Sequence, residues 1–213
     1  RRMIYLDYSA NTPVSPRVLQ CFADAAVKYP GNPNAKHPAG LAAKAAIDEA
    51  TDRIAAALGV HADEIIYTSG ASESNNTAIR GILHASRHIG RHVITTPLEH
   101  PSVSGCLTAA MERGYEIDML AVGRDGKIDP EEVRALLRPD TVLVTMTAVD
   151  SELGTVQPVR EVARVLRGAA HCCLHVDATQ AIGKLPFSFD EVDTASFTPH
   201  KFGGIVGSGV LFK

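Results

Sequence analysis

Four positions along the 213-residue chain carry side chains whose types and surroundings could do chemistry together. Lys201 lies within Ser196-Phe-Thr-Pro-His-Lys-Phe-Gly-Gly-Ile-Val-Gly-Ser-Gly209, between hydroxyl residues and a run of glycines. An amine placed there can form a Schiff base beside hydroxyls and backbone N–H groups that suit a phosphate ester. The competing reading is a basic residue in a surface turn between two strands. Thr68-Ser-Gly-Ala-Ser-Glu-Ser-Asn-Asn76 is a small-residue turn running into a helix, where backbone N–H groups and the Ser72 hydroxyl could meet a phosphate. His100, in Leu98-Glu-His-Pro-Ser-Val103, stands at the mouth of another helix, either as a cap or as an imidazole free to stack on an aromatic ring. Asp177, in Asp177-Ala-Thr-Gln180, follows an apolar run. A carboxylate there is costly to bury unless it meets a cation such as a protonated ring nitrogen, or caps the next turn.

The elements that must position these residues follow from hydrophobic patterning. Short apolar runs at 65–68, 92–95, 115–119, 142–146, 172–176 and 194–197 read as strands. Helical material separates most of them, at 74–86, 101–113, 130–137 and 158–166. Two helices precede the first strand: one starts at Ser15-Pro16, and the other spans 37–58, with Ile47, Ala50, Ile54 and Leu58 at helical spacing and Gly59 as the stop. Strand and helix in alternation predict an α/β fold, a mostly parallel central sheet with helices on both faces. The last run, 209–213, follows its neighbour after only a loop, so it is expected to pair antiparallel. In such sheets ligands sit beyond the carboxyl ends of the strands, which is where all four chemical positions fall. Phosphate cradle, stacking imidazole, carboxylate for a pyridinium and Schiff-base lysine together match the requirements of pyridoxal 5'-phosphate.

Composition removes several alternatives. A net charge of −3 and no long Lys/Arg block argue against nucleic acid or a membrane surface as partner. No apolar run approaches a membrane span, and the stretch opening at Arg1-Arg-Met lacks the apolar core of a signal peptide, so a cytoplasmic location is expected. Cys21, Cys106, Cys172 and Cys173 form neither a disulfide framework nor a metal spacing and are expected to be buried free thiols. The stop at Lys213, inside an apolar strand, suggests one portion of a larger enzyme. The expected organisation is an N-terminal arm at 1–15 and a cofactor-binding large domain at 16–213.

The motifs in order are Tyr5-Leu-Asp-Tyr-Ser-Ala-Asn-Thr-Pro-Val, Gly31-Asn-Pro-Asn, the 68–76 turn, Glu99-His-Pro-Ser-Val, Glu152-Leu-Gly-Thr-Val-Gln-Pro, His175-Val-Asp-Ala-Thr-Gln and Ser196-Phe-Thr-Pro-His-Lys. In this order the chain resembles the N-terminal half or so of the cysteine desulfurases, within class V of the fold-type I pyridoxal-phosphate enzymes. The resemblance implies that Lys201 carries the cofactor, that Asp177 pairs with its ring nitrogen and that Gln180 contacts its ring hydroxyl. It also implies that His100 stacks on the ring and helps move protons, and that Ala71 (through its N–H), Ser72, Thr198 and His200 hold the phosphate. Ser151 stands where the family has an asparagine, and Gly204-Ile-Val-Gly207 replaces Gly-Pro-Lys-Gly. The family's nucleophilic cysteine and its carboxylate-binding arginine fall outside the matching positions.

The activity implied is conversion of L-cysteine to L-alanine, with the sulfur leaving as an enzyme persulfide. The implied partners are an amino-acid substrate, a second copy in a homodimer and a sulfur-acceptor protein. The change to Asp150-Ser151 would also suit a cysteine or selenocysteine lyase or an epimerase, and a non-catalytic cofactor-binding subunit stays open.

Overall fold

The computed structural model describes residues 3–213, so the first two residues of the predicted arm and signal-free start lie outside the described residues. Seven strands form one sheet: β1 (Ile65–Thr68), β2 (His92–Thr95), β3 (Glu116–Met119), β4 (Thr141–Thr147), β5 (Cys173–Asp177), β6 (Thr194–Phe197) and β7 (Gly209–Phe212). Their order is β1-β7-β6-β5-β4-β2-β3. Pairings among β2 to β6 are parallel, whereas β7 runs antiparallel to both β6 and β1. This is the predicted mostly parallel sheet with its antiparallel last strand. The short loop after β6 has no room for a crossover helix, so the chain doubles back. Among the described residues, β1 joins the sheet only through β7.

Six α-helices accompany the strands: α1 (Pro16–Lys28), α2 (Pro38–Leu58), α3 (Ala71–Ala85), α4 (Pro101–Met111), α5 (Pro130–Leu136) and α6 (Val159–Leu166). α3 and α4 cover one face, where Ile79, Leu83, Val103, Cys106 and Leu107 pack on Val93, Val142 and Leu143. On the other face Val133 of α5 and Val162, Val165 and Leu166 of α6 join Ile94, Val144, Met146, Leu174 and Val176. A central strand buried on both faces explains why β4 reads as a mostly apolar run with no alternation.

Proline opens α1, α2, α4 and α5 at the first turn, where its missing N–H costs nothing. α2 ends at Gly59, whose φ of 73° is the left-handed cap expected of that glycine. The apolar stripe of α2 is only partly covered: Ile54 and Leu58 pack against the core, while Ile47 is exposed. α1 buries none of its residues and leaves Leu19, Phe22 and Val27 exposed.

Three expectations need correction. Of the four cysteines, only Cys106 is buried; Cys21 is exposed on α1, and Cys172 and Cys173 are half-buried. Asp177 is the last residue of β5 and does not merely follow it, because it pairs with Thr147 and Ser196 on either side. α3 also starts three residues earlier than predicted, at Ala71, which places its N-terminus at the end of β1.

Candidate active site

The carboxyl ends of the strands open into a cavity of about 590 Å³. All nine residues singled out in the sequence line it: Ala71, Ser72, His100, Ser151, Asp177, Gln180, Thr198, His200 and Lys201. They come from five separate segments and meet because a parallel sheet gathers its strand ends on one edge.

At one end of the cavity, backbone donors stand without acceptors among the described residues. α3 begins after Gly70, which has no side chain to cap it, and the acidic residue of its first turn is engaged elsewhere: Glu73 accepts hydrogen bonds from the backbone N–H and the hydroxyl of Ser69 at 2.6 and 2.7 Å. The N–H groups of Ala71 and Ser72 therefore find no acceptor among the described residues. Opposite them Thr198 Oγ1 lies 2.8 Å from His200 Nδ1 and donates to the Ser208 carbonyl at 2.9 Å. The glycine run contributes closeness: a Cβ on Gly209 would lie 2.5 Å from the carbonyl carbon of Gly70, so only glycine lets β7 approach this turn.

Lys201 sits in a short 3₁₀ turn, Pro199–Lys201, that follows β6. Its ammonium donates to the carbonyls of Ser9 and Ala10 at 2.7 and 2.8 Å, and Gln180 donates to the same Ser9 carbonyl at 2.9 Å. Thr12 fastens the arm further, with its N–H and hydroxyl on the His200 carbonyl and its Oγ1 accepting from the Gly203 N–H at 2.7 Å. Residues 9–15 thus form a strap tied to the Lys201 turn, with Ser9 and Ala10 lining the cavity. Partial burial lowers the Lys201 pKa, with Asp177 and Asp7 opposing the shift. Burial followed by the Lys201 charge lowers that of His200.

His100 and Asp177 each make the capping contact that was one of their two readings, and both also line the cavity. His100 caps α4, its Nδ1 accepting from the Ser102 N–H at 3.1 Å, and still lines the cavity. Asp177 Oδ1 accepts from the Thr179 N–H at 3.0 Å, closing a turn, while Oδ2 accepts from Asn75 Nδ2 at 2.8 Å. Ser151 lines the cavity next to Asp150, whose carboxylate is turned back onto the N–H groups of Glu152 and Leu153.

Behind these residues lies a polar layer to which the sequence reading gave no role. Asn75 and His175 are fully buried, and burial holds His175 well below the usual imidazole range. Glu99 accepts from Thr96 Oγ1 and from the Thr147 N–H, each at 2.7 Å, while its Oε2 is buried without a partner; burial pushes its pKa up to about 8. A polar residue inside an apolar strand, as in His92-Val-Ile-Thr95 or His175-Val-Asp177, was the available signal for this layer.

This donor set fits pyridoxal 5'-phosphate. The uncapped α3 terminus with Ser72, Thr198 and His200 suits its dianionic phosphate, Lys201 its aldehyde, and the buried Asp177 carboxylate its ring nitrogen.

The sequence pattern of the family described as "Aminotransferase class-V" matches residues 4–213. A protein named "Cysteine desulfurase IscS" from Anaeromyxobacter sp. (strain K) is 41% identical over 212 residues, covering 98% of this chain and 52% of its own length. The Homo sapiens protein named "Cysteine desulfurase" is 36% identical, covering 99% of this chain and 47% of its own. A solved structure titled "NIFS-LIKE PROTEIN" superposes with a TM-score of 0.96 at 36% identity, covering 99% of this chain and 59% of that one. The chain spans about half the length of the curated relatives it matches.

Proposed function

Since the chain belongs to the class-V aminotransferase family, we propose that it is the cofactor-binding part of a pyridoxal 5'-phosphate-dependent cysteine desulfurase, converting L-cysteine to L-alanine and passing the sulfur on as a persulfide. The observation that carries this reading is the convergence of Lys201, Asp177 and the uncapped α3 terminus on one cavity. The names of relatives at 36–41% identity supply the substrate. In this reading residues 16–213 are the large domain, and the strap through Ser9 and Ala10 belongs functionally to a further domain.

When bound, the cofactor supplies an electron sink for charge developing at the substrate α-carbon. The chain's own residues do the rest. The N–H groups of Ala71 and Ser72, with Thr198 and His200, hold the phosphate. Asp177 keeps a proton on the ring nitrogen, and Gln180 and Ser151 orient the ring edge. Partial burial lowers the Lys201 pKa, the direction that favours the uncharged amine a nucleophile or a base needs. None of the chain's cysteines lines the cavity, so the persulfide-forming thiol is assigned to chain beyond these residues. Homodimerisation, a sulfur-acceptor protein, a role in iron-sulfur assembly and a cytoplasmic location complete the reading. The exposed Leu19, Phe22 and Val27 of α1 give a packing partner apolar surface.

The test is reconstitution of the chain with pyridoxal 5'-phosphate. The visible band of the lysine adduct is expected in the native chain and absent in Lys201→Ala; a band of equal intensity in the variant refutes the cofactor assignment. Alanine and persulfide from L-cysteine in the full-length enzyme support the desulfurase reading, whereas pyruvate and ammonia point to a lyase.

A further inference from the structure

A single run of hydrogen bonds links seven side chains at and behind the cavity wall, and its donors and acceptors can be ordered from chemistry alone. It starts at Asn75, which is 0% exposed. The amide nitrogen lies 2.8 Å from Asp177 Oδ2 and 2.9 Å from Ser102 Oγ. A carboxylate can only accept, so the NH₂ group must face Asp177, and the amide cannot be flipped. Its Oδ1 therefore faces Ser196 Oγ, which donates to it, and His175 Nε2 at 3.0 Å. His175 is buried and neutral, with a single N–H. That proton sits on Nε2, because Asn75 Oδ1 has no proton to give, and Nδ1 accepts from the Thr194 hydroxyl at 2.8 Å.

The other arm of Asn75 leads to the cavity. One amide proton goes to Asp177 and the other to Ser102 Oγ, so the Ser102 hydroxyl proton is left for His100 Nδ1, 2.8 Å away. The backbone N–H of Ser102 points at the same nitrogen from 3.1 Å and, unlike a hydroxyl, cannot turn around. His100 Nδ1 is thus a double acceptor, and the ring proton belongs on Nε2, which has no partner among the described residues.

We propose that Asn75, acting through Ser102, is a positioning residue that fixes His100 as its Nε2–H tautomer and with the same amide holds Asp177 Oδ2. His100 then presents a hydrogen-bond donor to the cavity, not a base: Nε2 already carries its proton, and a proton added at Nδ1 would face the Ser102 N–H. This revises the proton-moving role that the family resemblance implies for this histidine. The tautomer stands on the chain's geometry alone; its use in turnover rests on the function proposed above.

The tautomer is read directly from long-range ¹H–¹⁵N correlations of the histidine rings in the isotope-labelled chain, with the His100 signals assigned through His100→Gln. Native His100 is expected to show one unprotonated Nδ1 and one protonated Nε2. Ser102→Ala, which retains the backbone donor, should shift both nitrogens toward tautomer averaging, and Asn75→Ala should do so while also weakening pyridoxal 5'-phosphate binding about tenfold, the effect of one hydrogen bond to a charged group. A native Nδ1–H tautomer, or Ser102→Ala and folded Asn75→Ala proteins whose His100 signals match the native ones, overturns the proposal. Should Asn75→Ala fail to fold, Ser102→Ala decides alone. Failure of the native chain to bind the cofactor would count against the proposed function, not against the tautomer, because the ring signals are read without cofactor.

Discussion

Replacing Glu99 by glutamine tests whether a buried carboxyl under the cavity is held protonated. Glu99 Oε1 already accepts two hydrogen bonds, and Oε2 is buried with none. Burial is the main cause of its raised pKa; the nearby Asp177 charge adds to it, and the Thr96 and Thr147 hydrogen bonds oppose it. A carboxyl whose folded pKa lies above its unfolded value favours the fold fully below the unfolded value, and that contribution is lost as pH rises toward the folded one. The window here runs from 4.5 to about 8. At about 1.4 kcal/mol per tenfold change in proton affinity, the loss across it is about 5 kcal/mol at most. Glutamine keeps both Oε1 bonds and does not titrate, but it buries an NH₂ without an acceptor, at a cost of about 1–3 kcal/mol at every pH. Glu99→Gln should therefore be less stable than the native chain at pH 5 and equal or better at pH 9. Urea unfolding of both proteins at pH 5, 7 and 9 measures the difference. A gap that stays constant over that range refutes the buried protonated carboxyl.

Gly209→Ala should destabilise the chain by about 1–3 kcal/mol, as overpacking does, and weaken cofactor binding, because the new methyl meets backbone atoms of Gly70 at the α3 terminus. Thermal unfolding and cofactor titration measure both effects, and an unchanged affinity would detach that glycine from the site. Thr12→Val removes the donor to the His200 carbonyl and the acceptor for the Gly203 N–H; limited proteolysis should then cut the strap faster while global unfolding changes by only about 1–2 kcal/mol. Equal cleavage rates in both proteins would show that the strap is held by other contacts.

The sheet was legible because central strands buried on both faces leave mostly apolar runs, such as Val142-Leu-Val-Thr-Met146. The cavity-lining residues were legible for a related reason. Polar side chains directly after such runs, Ser72, Asp177 and Thr198, have few structural excuses for their position. The polar layer beneath them was not. Asn75 sits one turn inside a helix, where a sequence shows only a polar residue of middling helix propensity, and the partners that give it meaning are 27 to 121 residues away in the chain. The strap was equally hidden: it acts through the backbone carbonyls of Ser9 and Ala10, which no side-chain pattern records. Cys21 was misjudged because the tendency of free thiols to be buried says nothing of an individual helix with no buried face.

The place of β7 in the sheet bears on how the protein is made. β1 emerges early in synthesis, yet its only strand partner begins at Gly209, more than 140 residues later. Until that segment is available, the edge of β1 has nothing to bond to, and the turn at Gly70 that starts α3 lacks the strand that packs against it. Strands β2 to β6 can assemble among themselves beforehand through parallel pairings of shorter sequence separation. The end of the cavity at the α3 terminus is therefore completed after β2 to β6 have paired, by closure of a long loop whose entropy must be met before its contacts reward it. A chain lacking residues from Gly209 onward would keep the partners of its central strands and lose the strand that packs against the Gly70 turn, so closure of that turn would report that β7 has docked.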